Sequence, residues 1–113
     1  MKNYDNFLLP VADLRQGTEF YRDVLGLPVK FSFPGQGMTA FRVGDAEPAI
    51  ILNAAPDAAP AIWFEVADVQ QEHQRLTAGG VRFVKEPFRI RTGWAAEFLD
   101  PFGNRLGIAD YRQ

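Results

Sequence analysis

The phrase Val11-Ala12-Asp13-Leu14-Arg15-Gln16 returns later in the chain as Val66-Ala67-Asp68-Val69-Gln70-Gln71, with Val, Ala, Asp and Gln in the same places. Each copy follows an apolar run, Phe7 to Pro10 and Ile62 to Glu65. Each leads into a helical pattern closed by glycine, at Gly26 and at Gly79-Gly80. A self-match in the order strand, acidic cap, helix, glycine stop is the mark of a duplicated supersecondary unit. Because there are two copies and not many, the product is a paired domain and not a solenoid.

The rest of the chain falls into place around the two copies. Phe7 to Val11 reads as a short strand, with Pro10 at an edge or an end. Asp13 is placed to cap a helix from Leu14, on which Phe20, Tyr21, Val24 and Leu25 share a face. Gly17 weakens its interior. Strands follow at Val29 to Phe33, Met38 to Val43 and Pro48 to Asn53. The small, Pro-punctuated stretch from Asn53 to Pro60 connects this unit to its repeat. A strand from about Ala61 to Val66 and a helix capped by Asp68 then recur. After them come strands at Val81 to Val84, Trp94 to Leu99 and Arg105 to Ala109. Lys85 to Gly93 reads as a polar loop with three positive charges, Lys85, Arg89 and Arg91. The expected architecture is α+β, one domain over residues 1–113. It consists of two tandem β-α-β-β-β units at about 4–53 and 61–110, with a linker at 54–60.

The totals narrow the function. Net charge is −2 and the pI is about 5.3, which argues against nucleic acid, because phosphate recognition needs a basic face. With no cysteine there is no disulfide framework, thiolate nucleophile or thiolate metal site. Without a long apolar span or a leader-like start, the expectation is a soluble cytoplasmic protein with no membrane partner. Ten Phe residues exceed what a core of this size demands, and such a surplus often lines a cavity or a subunit contact.

Three stretches carry a family resemblance: Val11-x-Asp13-Leu14 leading to Phe20-Tyr21-Arg22-Asp23-Val24-Leu25-Gly26-Leu27; Phe64-Glu65-Val66-x-Asp68-Val69 with Leu76-x-x-x-Gly80; and Asp100-Pro101-x-Gly103-Asn104-x-Leu106. In this order and spacing the chain resembles the glyoxalase / bleomycin-resistance / extradiol-dioxygenase superfamily, the vicinal oxygen chelate fold. The resemblance implies sheets that curl into an open cup, paired in a homodimer. It does not select among isomerases, dioxygenases, thiol transferases and metal-free drug-binding proteins, all of which share that fold.

In metal-dependent members, the resemblance places donors on the first and last strand of each unit. Those positions hold Asn6, Ile51, Ala61 and Gly107 here. None offers an imidazole, carboxylate or thiolate, so neither a metal nor another cofactor is expected. The only histidine, His73, reads as part of a solvated helix face.

If the first strands keep the family's orientation, Ala61, Trp63 and Glu65 line the cup while Ile62, Phe64 and Val66 pack on the helix. Asn6, Leu8 and Pro10 form the matching row. Ala49, Ile51 and Asn53, with Arg105, Gly107 and Ala109, complete the walls. The candidate ligand-binding residues are therefore Trp63, Glu65, Asn6, Trp94, Glu97 and Arg105. Trp63 reads either as packing or as a ring for stacking on a planar or cationic ligand. Trp94 reads as a rim or lid residue after a glycine in a mobile loop. Glu97 is a cavity carboxylate or a surface charge, and strand parity leaves both open. No nucleophile elbow, phosphate loop or serine triad is present. The expectation is a metal-free protein that binds a drug or metabolite. A glyoxalase-like lyase or isomerase, or a dioxygenase, with an atypical metal site is the alternative.

Overall fold

A computed structural model describes residues 1–46 and 48–112. The chain is α+β and separates into two compact units. One comprises Asn6–Pro60; the other comprises Ala61–Gln113 together with Met1–Asp5. The first strand, β1 (Asn3–Pro10), is longer than its apolar run and passes from one unit into the other.

In the N-terminal unit, β1 is followed by α1 (Leu14–Glu19), β2 (Val29–Phe33), β3 (Met38–Phe41) and β4 (Ala49–Asn53). β1 pairs with β4 in parallel, β4 with β3 antiparallel, and β3 with β2 antiparallel. The C-terminal unit repeats this scheme. β5 (Ala61–Glu65) and α2 (Val69–Ala78) lead to β6 (Arg82–Phe83), β7 (Phe88–Ile90), β8 (Gly93–Leu99) and β9 (Arg105–Ala109). β5 runs parallel to β9, β9 antiparallel to β8, and β8 antiparallel to β6. The duplication reaches single hydrogen bonds. Val11 N–H donates to the Asn53 carbonyl at 3.0 Å, and Val66 N–H to that of Ala109 at 2.9 Å.

Both repeated aspartates cap their helices. The Asp13 carboxylate accepts from Gln16 N–H and that of Asp68 from Gln71 N–H, each at 3.1 Å. A side-chain acceptor here satisfies an amide that a helix start otherwise leaves without a partner. The two helices then differ. α2 runs ten residues and buries Val69 fully, worth about 2 kcal/mol. α1 gives way after Glu19 to a π-helical segment, Phe20–Val24. That wider winding turns Tyr21 edge-on to buried Phe41, 5.6 Å between ring centres, while Phe20, Val24 and Leu25 stay exposed. The single apolar helix face expected over these four residues is thus split. Gly17 has a packing reason: a Cβ there would stand 3.2 Å from both Leu52 Cδ1 and Val11 Cγ1.

The C-terminal core gathers Val66, Val69, Ala96, Phe98 and Ile108, with Phe64, Leu76, Trp94 and Leu106 packed on it. Phe64 and Val66 therefore meet the helix side as expected, whereas Ile62 is 41% exposed and outside that cluster. The Lys85–Gly93 stretch is not a plain loop, because β7 pairs there with β8, Phe88 opposite Ala95. Lys85 and Arg89 spend their charge on rings, 4.5 Å from Phe88 and 5.3 Å from Trp94. At the β8–β9 turn, the Asp100 carboxylate accepts from Phe102 N–H and from the backbone and side-chain amides of Asn104. These bonds hold its carboxyl below the ordinary range, the Asn104 side chain contributing most.

A carboxylate that plays no part in the repeat ties the C-terminal unit together. Asp110 is 1% exposed and accepts from Val69 N–H at 2.7 Å, Trp94 N–H at 2.9 Å and Arg112 N–H at 3.2 Å. One side chain thus joins the start of α2, the start of β8 and the C-terminal segment. Gly93 lies so close that a Cβ would fall 2.4 Å from Asp110 O and Oδ1. Gly93 is buried in this clamp, not the hinge of a loop.

Candidate functional site

Strand alternation sorts the C-terminal sheet into two faces. Ala96, Phe98 and Ile108 lie on the helix side. Trp63, Glu65, Glu97, Arg105, Gly107 and Ala109 therefore share the opposite face. The register brings three of them into one row, with Trp63 opposite Gly107 on one flank and Glu97 opposite Gly107 on the other. Parity alone leaves Glu97 undecided; its pairing with Gly107 settles it.

Gly107 is the floor of this row. A Cβ on it would meet Trp63 Cδ2, Cε2 and Cε3 at 2.3 to 2.5 Å, so the six-membered part of the indole lies directly on the glycine backbone. Trp63 is partly exposed, yet its Nε1 is shielded from solvent, and among the described residues no acceptor meets it. An N–H left in this state costs about 1–3 kcal/mol. The charged groups around it are paired: Arg105 Nη1 stands 3.8 Å from Glu97 Oε2, and Lys2 Nζ 3.5 Å from Glu65 Oε2.

The other expected site residues divide. Trp94 shares the helix-side face with Ala96 and Phe98 and packs on that core. Its backbone N–H is held by Asp110 and its ring carries Arg89. It is therefore neither a lid nor part of the Trp63 row. Asn6 belongs to the N-terminal unit, opposite Ala49 on β1, with its amide oxygen shielded from solvent. Leu8, two residues on, sits opposite Ile51 as Trp63 sits opposite Gly107. The register thus makes Ile51 the counterpart of Gly107. On the same face of that sheet, Phe31 opposes Ala40 and Phe33 opposes Met38. Their rings stand 5.2 Å apart, an aromatic pair that the β2 alternation contains but that motif matching passes over.

The four positions at which the resemblance implies donors do not fit a metal. Asn6, Ile51, Ala61 and Gly107 supply at most one weak amide donor, and the Trp63 ring covers Gly107. No group of three metal-ligating side chains occurs among the described residues. His73 lies against Phe83 at 4.3 Å between ring centres, which corrects the solvated face expected for it.

An open groove of about 740 Å³ lies away from this row, in the N-terminal unit, lined by residues including Asp13, Arg15, Glu19, Arg22, Ser32 and Thr39. Sequence reading did not single it out. Its charges are already committed, Arg15 to Glu19 and Arg22 to Asp23, and Asp13 to its cap. The buried Thr39 hydroxyl meets those of Thr18 and Ser32. The orphaned donor makes the Trp63 row the stronger candidate.

The profile of the Glyoxalase/Bleomycin resistance protein/Dioxygenase superfamily matches residues 3–108. The chain belongs to that superfamily. Solved structures of similar fold include methylmalonyl-CoA epimerase from Mycobacterium tuberculosis, at TM-score 0.76 and 21% identity, covering 98% of this chain and 89% of that one. Another, described as an NAD-dependent benzaldehyde dehydrogenase from Legionella pneumophila, aligns at TM-score 0.76 and 22% identity, covering 95% and 98%. At such identities the likeness is one of fold. A curated relative, the uncharacterized protein YurT of Bacillus subtilis (strain 168), is 43% identical over 49 residues, 43% of this chain and 39% of that protein. The indole rests on Gly107, one of the four positions at which the resemblance implies a donor. No helix among the described residues is long and apolar enough to cross a membrane.

Proposed function

We propose that this superfamily member is a cytoplasmic, metal-independent small-molecule-binding protein that holds a drug or metabolite by affinity alone. The observation that carries the proposal is the Trp63 indole lying on Gly107, which puts a flat aromatic surface at a position where the resemblance implies a metal donor. Stacking needs a planar partner and no metal, and small-molecule sites commonly combine an apolar floor with a few placed polar groups. Glu97 and Glu65 have cations beside them, so the face carries balanced charge around the indole. Trp63, Glu65, Glu97 and Arg105 are the binding residues we assign.

The test combines metal and ligand. Zinc, nickel, manganese or iron(II), added after exhaustive chelation, is expected to leave the melting temperature unchanged. A planar aromatic ligand is expected to quench Trp63 emission saturably and to raise the melting temperature. Saturable stabilisation by a metal, or turnover of a substrate that requires one, would transfer the assignment to the lyase, isomerase or dioxygenase class.

We also propose a homodimer. The exposure of Phe20, Val24 and Leu25, at 49%, 70% and 51%, supports it. Light scattering at micromolar concentration is expected to give twice the chain mass, and a monomer mass at all concentrations would refute it.

A further inference from the structure

We infer that the Trp63 row selects a neutral, planar ligand bearing a carbonyl oxygen, over both cationic and anionic ligands of the same shape. This rests on the binding assignment above and adds the chemical class of the ligand. Two independent features of the row lead to it.

The first is charge balance. Each carboxylate on the face stands beside a cation, Glu97 beside Arg105 and Glu65 beside Lys2. An incoming cation would have to take a carboxylate away from Arg105 or Lys2. An incoming anion would have to take the cation away from Glu97 or Glu65. Either exchange gives up a standing pair; Glu97–Arg105 is the more enclosed of the two and weighs most, since the Lys2 ammonium lies largely in water. A neutral ligand leaves both pairs standing.

The second is the orphaned donor. Trp63 Nε1–H is shielded and lacks an acceptor among the described residues. A hydrocarbon ring stacked on the indole would leave it so, whereas a ring carrying a carbonyl can supply the missing acceptor. Indole nitrogen is a donor only, so the complementary atom must be an acceptor. A site with an unpaired polar group discriminates strongly against ligands that cannot pair it. Because Nε1 is shielded, pairing with a ligand carbonyl requires a small rotation of the indole off Gly107, and this rotation is part of the inference.

The experiment uses four planar probes on the full chain: benzamide, benzoate, benzamidinium and toluene. A Trp94→Phe background leaves Trp63 as the one indole, since the chain has two Trp. Affinities are read by titration calorimetry, which serves the indole-free variant as well, and the Trp63 N–H by its proton–nitrogen resonance. Benzamide is expected to bind at least tenfold more tightly than either charged probe and to move the indole resonance downfield, with little change between low and high salt. Trp63→Phe keeps the ring face and removes the donor. It is expected to weaken benzamide at least fivefold more than it weakens toluene. Equal or tighter binding of a charged probe would overturn the inference, and so would benzamide affinity untouched by Trp63→Phe; the binding assignment survives either result. Failure of all four probes to bind would overturn the inference and the small-molecule assignment together.

Discussion

Asp110→Ala is expected to cost about 3–5 kcal/mol and to lower the melting temperature by on the order of 10–20 °C. The side chain is 1% exposed and its two oxygens accept three backbone N–H groups, from Val69, Trp94 and Arg112. Alanine removes a charged acceptor from all three at once, and Val69 and Trp94 both open elements that pack on the core. A loss of this size is a large share of the 5–15 kcal/mol typical of a small domain. Asp110→Asn keeps an acceptor oxygen and is expected to lose about half as much. Gly93→Ala drives a Cβ to 2.4 Å from the same carboxylate. It should approach the alanine variant in severity, and the two together should be only partly non-additive, since the Cβ also meets the Asp110 backbone carbonyl, which Asp110→Ala leaves in place. Denaturant melts of the four proteins decide this. A loss below 1 kcal/mol for Asp110→Ala would mean that water or neighbouring groups replace the acceptor freely.

That clamp marks where the sequence stops being legible. The repeated Val-Ala-Asp phrase announces two equivalent caps, and both form with the same geometry, because capping is local and depends on residues three apart. Strand alternation likewise assigns Trp63, Arg105 and Gly107 to one face, because period two is a property of the extended backbone itself. Asp110 carries no such local signal. Its partners Val69 and Trp94 lie far away in the chain, so an acid at a strand end looks like a surface charge until the fold closes over it. Trp94 is misplaced in the sequence reading for a related reason. Gly93 suggests mobility, but the glycine is there because Asp110 leaves no room for a Cβ. β7 escapes because Lys85, Arg89 and Arg91 make its stretch look solvated, although Lys85 and Arg89 lie over aromatic rings. The π-helical winding at Phe20–Val24 keeps an ordinary helical pattern in sequence while turning its apolar residues apart. At the candidate site, motif comparison could show only that donors are missing from Asn6, Ile51, Ala61 and Gly107. What takes their place depends on an indole meeting a glycine across two strands.

Gly107→Ala is the substitution that tests this contact most sharply. One methyl group would enter at 2.3 to 2.5 Å from three indole carbons, well inside van der Waals contact, and the neighbour is a rigid ring and not the far end of a flexible chain. The indole has to leave the floor. The expected results are a red shift of Trp63 emission, a stability loss of about 1–3 kcal/mol from overpacking, and at least tenfold weaker binding of the planar ligand. Stability loss alone would be ambiguous, since any buried strand glycine could give it. A double-mutant cycle with Trp63→Ala resolves the cause. With the indole gone, the three atoms nearest the methyl at residue 107 are removed and it should cost less, so the two changes should couple by more than about 1 kcal/mol. Additive losses would show that the indole does not rest on Gly107 in solution. In that case the stacking floor, and the binding assignment built on it, would have to be abandoned.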